Sequence, residues 1–204
     1  MKTRNYDFSR FFAQVKSPTP DSRKKTEEYI RHYESRPDRD TFYVIFDLRP
    51  PIHLKWTCNL RQVLGYQQFT AQQLLDEIHP EWKEIYYEFT HAAYSWVSSV
   101  PKEVLPNMSY HFNLPIKHAD GHYIWLRHYS EPLEYDVNGK LVSHFSLYRY
   151  IEDYQGYLQM RPMVMVEDKR HPEFEKEIIS RVENIFSSRY EKVLLRPTEQ
   201  ELLL

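Results

Sequence analysis

The side chains of this 204-residue chain best suited to metal binding or nucleophilic chemistry are one cysteine and ten histidines, and their spacing decides what they can do. Cys58 stands alone, which rules out an intrachain disulfide and any multi-cysteine metal site and fits a reducing compartment. His118 and His122 are four residues apart, but Ala119-Asp120-Gly121 between them signals a hairpin turn rather than a helix face. The other histidines are scattered, and no paired cysteine or carboxylate completes a metal set, so no metal is expected. Asp47, His53 and Ser109 are the residue types of a hydrolytic triad, yet no serine sits in a nucleophile elbow. Glu81 and Glu84 fall near a helix N-terminus, where carboxylates stabilise the helix dipole and need no catalytic role. Gly65, Gly121, Gly139 and Gly156 lie too far apart to build a phosphate-cradling loop. No catalytic residue is assigned, and the chain reads as a protein that is not an enzyme.

Composition narrows the classes further. Hydrophobic residues make up 41% of the chain, enough to bury a sizeable core, and aromatics at 16% favour strands and a bulky interior. A net charge of −2 gives no general electrostatic footprint for nucleic acid. The basic runs Arg23-Lys24-Lys25 and Lys169-Arg170 sit among acidic residues and read as solvated faces. The N-terminus opens no apolar signal segment, and no window approaches 18 consecutive apolar residues, so a cytoplasmic protein without membrane span is expected.

The elements that must position any site follow from local pattern. Residues 20–36 read as a helix, with Thr19 as cap and Pro20 at its first position. Residues 41–48 form a β-branched and aromatic strand, and Ile52 to Trp56 return as a short second one. Asn59 caps a short helix ending at Gly65, and Thr70-Ala71-Gln72-Gln73 opens another over 71–77. Pro80 begins a long helix whose apolar residues run Trp82, Ile85, Tyr86, Phe89, Ala92, Ala93, Trp96 and Val97. Three strands follow, at 109–117, 122–133 and 141–150, joined by turns at Asp120-Gly121 and Asn138-Gly139. The stretch Met160–Val166 is apolar but has no assigned form. A last helix runs from Pro172 to about Tyr190. The expected fold class is α+β, a five-stranded antiparallel sheet with helices on one face plus flanking helices at both ends. The domain divisions are 1–40 as a helical extension, 41–153 as the core domain, 154–194 as a linker with an amphipathic helix, and 195–204 as the start of something further.

That element order resembles the PAS sensory domain. Leu64-Gly65-Tyr66 is similar to the family's step after its first short helix, and Ile78-His79-Pro80-Glu81 to its step opening the long helix. Asp120-Gly121 followed by Trp125 is similar to its aspartate-glycine hairpin. The resemblance covers Phe42 to Asp153. Trp82 departs from it, standing where the family commonly has aspartate. A second, shorter resemblance is that of Leu195-Arg196-Pro197-Thr198-Glu199-Gln200-Glu201-Leu202-Leu203 to the opening of a LuxR-type helix-turn-helix domain, with Arg196 in place of the usual threonine cap and Thr198 in place of arginine.

The PAS resemblance implies a site between the long helix and the sheet, or no ligand at all. A photoactive flavin domain of this fold needs a cysteine motif after the second short helix, and Cys58 precedes the first. A haem sensor needs an axial histidine, and His91 lies beside, not on, the apolar stripe. No cofactor is therefore expected, while an unidentified small ligand stays open. Phe89, Ala93 and Trp96 would form the floor of an apolar pocket. Phe112, Leu114, Ile124, Leu126 and Phe145 would form its wall, with Tyr94, His128 and His144 as candidate polar contacts. Plain core packing accounts for the same residues. Trp125 alternates with Leu126 and is expected on the outer face, under the N-terminal helix or a second protomer.

The resemblances together imply a signal-sensing and dimerising input domain of a transcription regulator. Ile178, Val182, Ile185 and Phe186 would supply the stripe of a homodimer, and DNA would be bound only through a further C-terminal domain. The alternatives are a PAS dimerisation platform without ligand, or the input domain of a histidine kinase.

Overall fold

The strand Thr41–Asp47 has no exposed position, the mark of a strand covered on both faces. In the computed structural model, which describes residues 8–35, 38–100, 103–105, 108–155, 160, 163–166 and 172–193, this strand is β1 and lies inside the sheet. Its neighbours are β2 (His53–Cys58) and β5 (Leu141–Asp153), and β4 (Tyr123–Tyr135) and β3 (Met108–Lys117) continue from β5. Every pairing is antiparallel. This five-stranded antiparallel sheet with helices is the α+β architecture expected of the sequence. A sixth strand, β6 (Met163–Val166), extends it by pairing with β3 at the edge. The sequence gives four apolar residues there with no alternation, so only the partner edge reveals the strand.

Caps set the helix starts. Thr19 accepts a hydrogen bond from the Ser22 amide to open α1 (Pro20–Glu34), and Thr70 accepts from the Gln73 amide to open α3 (Ala71–Asp76). α2 (Leu60–Leu64) ends at Gly65, which takes φ of 76°, a left-handed conformation that disfavours any Cβ. Asn59, expected as the cap of α2, makes no capping bond; it is itself left-handed, and its side-chain amide donates to the Asp38 carbonyl. α4 (Pro80–Val97) buries Trp82, Ile85, Tyr86, Phe89, Ala93, Trp96 and Val97, while Ala92, at the margin of the expected stripe, is half-buried.

Both faces of the sheet are covered. The main core lies on the α4 side. On the other face, Tyr29, Ile30 and Tyr33 of α1 pack on Tyr43, Ile45, Leu133 and Phe145. Trp125 is not in that second cluster. It is fully buried in the main core, edge-on to Trp82 and stacked on Tyr154. The β4–β5 ladder pairs Trp125 with Glu152 but Leu126 with Tyr150, so Ile151 is skipped on β5 at this point. Trp82, the departure from the PAS pattern, provides the cover, and its indole N–H donates to the Tyr154 hydroxyl at 3.3 Å.

The last helix, α5 (Pro172–Val193), folds back on α4 and β6. Ile178 is fully buried in the protomer's own main core, and Ile185 packs against the same cluster. An isoleucine with no exposed surface has none to offer a second protomer, so Ile178 does not belong to a free dimer stripe. The side chains of Val182 and Phe186, and all of 194–204 with the helix-turn-helix resemblance, lie outside the described residues. Among the described residues no helix is long and apolar enough to cross a membrane.

Candidate functional site

A cavity of about 730 Å³ lies between α3, α4 and the sheet, and the register of the strands decides what faces it. Phe112 pairs with His128, His128 with Tyr148 and Tyr148 with Phe42, so four rings form one row across the sheet. Their centroids are 4.3, 4.5 and 4.6 Å apart. The next rows bring Tyr110 opposite Ser130 and Ser130 opposite Ser146, then Pro132 opposite His144 and His144 opposite Phe46. α4 supplies Tyr86, Phe89, Thr90, Ala93, Tyr94 and Val97 from one face. The half-exposed residues Ser9 and Ile52, with Pro50, Pro51 and Gln72, form the mouth. No charged side chain is among the lining residues described.

The polar groups form a chain. The Tyr94 hydroxyl lies 3.3 Å from His144 Nε2, and His144 Nδ1 lies 2.8 Å from Ser130 Oγ and 3.1 Å from Ser146 Oγ. Ser146 Oγ in turn lies 3.1 Å from His128 Nε2. Two buried polar atoms at the cavity have no partner among the described residues: His128 Nδ1 and the Tyr110 hydroxyl. Such atoms cost free energy unless something bonds them.

Burial sets the ionisation of this wall. It pushes the His144 imidazole down to about 4, and it holds His128 well below the ordinary histidine range, with repulsion from His144 and His111 adding to it. It raises the Tyr86 hydroxyl to about 12, and Tyr94, Tyr110 and Tyr148 are raised as well. All of these groups are neutral near pH 7, so the cavity carries no charge.

No family model matches the chain, and no curated protein matches it. Solved structures do. The N-terminal domain of a diguanylate cyclase with PAS/PAC sensor from Marinobacter aquaeolei is 16% identical, with 55% of this chain and 95% of that one covered and a TM-score of 0.43. A sensory box histidine kinase/response regulator from Burkholderia thailandensis is 11% identical, with 78% and 96% covered and a TM-score of 0.36.

Of the residues singled out from sequence, Phe89, Ala93, Tyr94, Phe112, His128 and His144 meet at this cavity. Trp96, Leu114, Ile124 and Leu126 are buried in the surrounding core and do not line it. Phe145 is on the opposite face, against Tyr33 and Tyr43, because it follows His144 on a strand and successive side chains alternate. Tyr86, Thr90, Tyr110, Ser130 and Tyr148 were missed. Period-two alternation from His128 to Ser130 and from His144 to Tyr148 would have found two of them. Asp47 is held by Arg49 and pairs in register with His53 at the start of β2, and Ser109 bonds His111. Asp47 and Ser109 stand on strands with two others between them and form no triad. His91 meets Arg10 and the Phe11 ring beneath the turn Phe8–Phe11, away from the cavity lining. The hairpin that argued against a joint role for His118 and His122 is what brings them together, with Asp120.

Proposed function

We propose that this chain is the signal-sensing input domain of a transcription regulator, and that its signal is an uncharged, largely apolar small molecule held between α4 and the sheet. The cavity carries this reading. Its volume of about 730 Å³ is that of a metabolite-sized site. With no charged lining residue described, a carboxylate or ammonium group would enter without a counter-charge, which is costly. The lining rings of Phe112, His128 and Tyr148 suit an aromatic or alkyl body. His128 Nδ1 and the Tyr110 hydroxyl suit a carbonyl or hydroxyl on it, each such bond recovering about 1–3 kcal/mol of desolvation cost. The resemblance of Leu195–Leu203 to a helix-turn-helix opening is what favours a DNA-binding output, with homodimerisation as the intermediate.

The test is a binding screen of neutral phenols, ketones and lactones by ligand-observed NMR and thermal shift. Saturable one-to-one binding is expected, weakened at least tenfold by Ala93→Trp, which fills the floor, and by His128→Phe, which removes the orphaned nitrogen. Circular dichroism checks that both variants fold. Binding only of carboxylate or ammonium analogues screened alongside them, or binding indifferent to both substitutions in folded protein, overturns the reading.

A further inference from the structure

The β3–β4 hairpin carries a cluster that the cavity does not use. His118, Asp120 and His122 alternate around the turn, and the hairpin closes with the His118 amide donating to the His122 carbonyl at 2.7 Å. This sets the two rings side by side, centroids 4.9 Å apart. Both aim the same atom at one point: His118 Nδ1 is 2.8 Å and His122 Nδ1 2.5 Å from Asp120 Oδ1. One donor atom from each residue thus lies within 4.8 Å of the other two.

We propose that this hairpin binds one divalent first-row transition metal ion, Zn²⁺ being the type case, through His118 Nδ1, His122 Nδ1 and the Asp120 carboxylate. The donor set is two imidazoles and one carboxylate, which suits zinc, cobalt or nickel and not the all-oxygen preference of calcium or magnesium. Ligands of a tetrahedral zinc ion at ordinary bond lengths are about 3.3 Å apart. Opening the present 2.5 and 2.8 Å spacings to that value needs only side-chain rotation in a solvent-exposed turn.

Two further features prepare the site. His122 turns its other nitrogen, Nε2, toward Asp153 Oδ1 at 3.6 Å, a charge contact beyond hydrogen-bond length. His118 is held from behind by Gly65, where an added Cβ would meet its ring at 3.0 Å. With three protein ligands the ion keeps an open position. Asp153 ends β5, so the metal would tie the hairpin to the end of that strand.

Isothermal titration of the whole chain with Zn²⁺ tests this, together with Co²⁺ absorbance. One equivalent per chain with a micromolar dissociation constant is expected, and Co²⁺ should give visible ligand-field bands. His118→Ala, His122→Ala and Asp120→Asn should each weaken binding at least tenfold, while His53→Ala, an exposed histidine elsewhere, should not. Substoichiometric uptake, or an affinity unchanged in His118→Ala and His122→Ala, overturns the proposal.

Discussion

Lowering the pH from 7 to 5 should destabilise this domain through His144, by an amount the structure sets. Burial holds the folded imidazole down to about 4, from an ordinary value of 6.5. Above pH 6.5 the ring is neutral in both folded and unfolded chains and the shift has no effect. Below it the unfolded chain takes up a proton that the folded chain refuses, so stability falls as pH falls, until the folded ring protonates near pH 4. Between pH 7 and 5 this one group costs about 2 kcal/mol. His128 is shifted the same way by burial, and His79, His91 and His111 are lowered too, so the wild-type loss should be larger. His144→Gln isolates the contribution. Urea denaturation followed by tryptophan fluorescence at pH 7 and pH 5 should show the variant losing about 2 kcal/mol less than the wild type. Equal losses in the two proteins would refute the burial argument and with it the uncharged cavity wall.

Two more outcomes follow from packing. Gly65→Ala puts a Cβ on a residue at φ of 76°, 2.9 Å from the Ala119 Cβ, and should cost about 2 kcal/mol, read as a Tm lower by roughly 4–8 °C. Lys55→Met strands the fully buried Glu134, which Lys55 meets at 2.7 Å and Ser143 at 2.7 Å; it should cost about 2–3 kcal/mol in urea denaturation, most of it recovered by adding Glu134→Gln.

What the sequence disclosed and what it hid divide along physical lines. Strand and helix positions were legible because β-branched runs, the helical stripe of α4 and the caps Thr19 and Thr70 are local signals. The six cavity residues found correctly came from two periodicities read on separate segments. The errors came where two segments meet. Phe145 was placed beside His144 although neighbours on a strand cannot share a face. Trp125 is covered by Trp82 of α4 and by Tyr154 after β5, contacts that alternation along β4 does not disclose. Ile178 was read as a dimer residue because an apolar stripe on a terminal helix does not say whether its cover is a partner or the chain's own α4. His118 and His122, four residues apart, meet across a hairpin with an aspartate at its turn, a juxtaposition that helical spacing does not anticipate.

The position of α4 explains how a small molecule in this cavity would be felt elsewhere. One face of the helix, with Phe89 and Ala93, lines the cavity, and α5 packs against the same helix with Ile178 in the shared core. Protein interiors are close-packed, so a helix with α5 seated on it does not move alone. On the proposed function, a ligand that displaces α4 must either lift Ile178 from its burial or carry α5 with it. Exposing Ile178 would cost roughly 1.5–3 kcal/mol, more than a shift of α5 as a body along its contact. The displacement should therefore leave the domain through α5, the element that ends at Val193, just before the segment that resembles a helix-turn-helix opening.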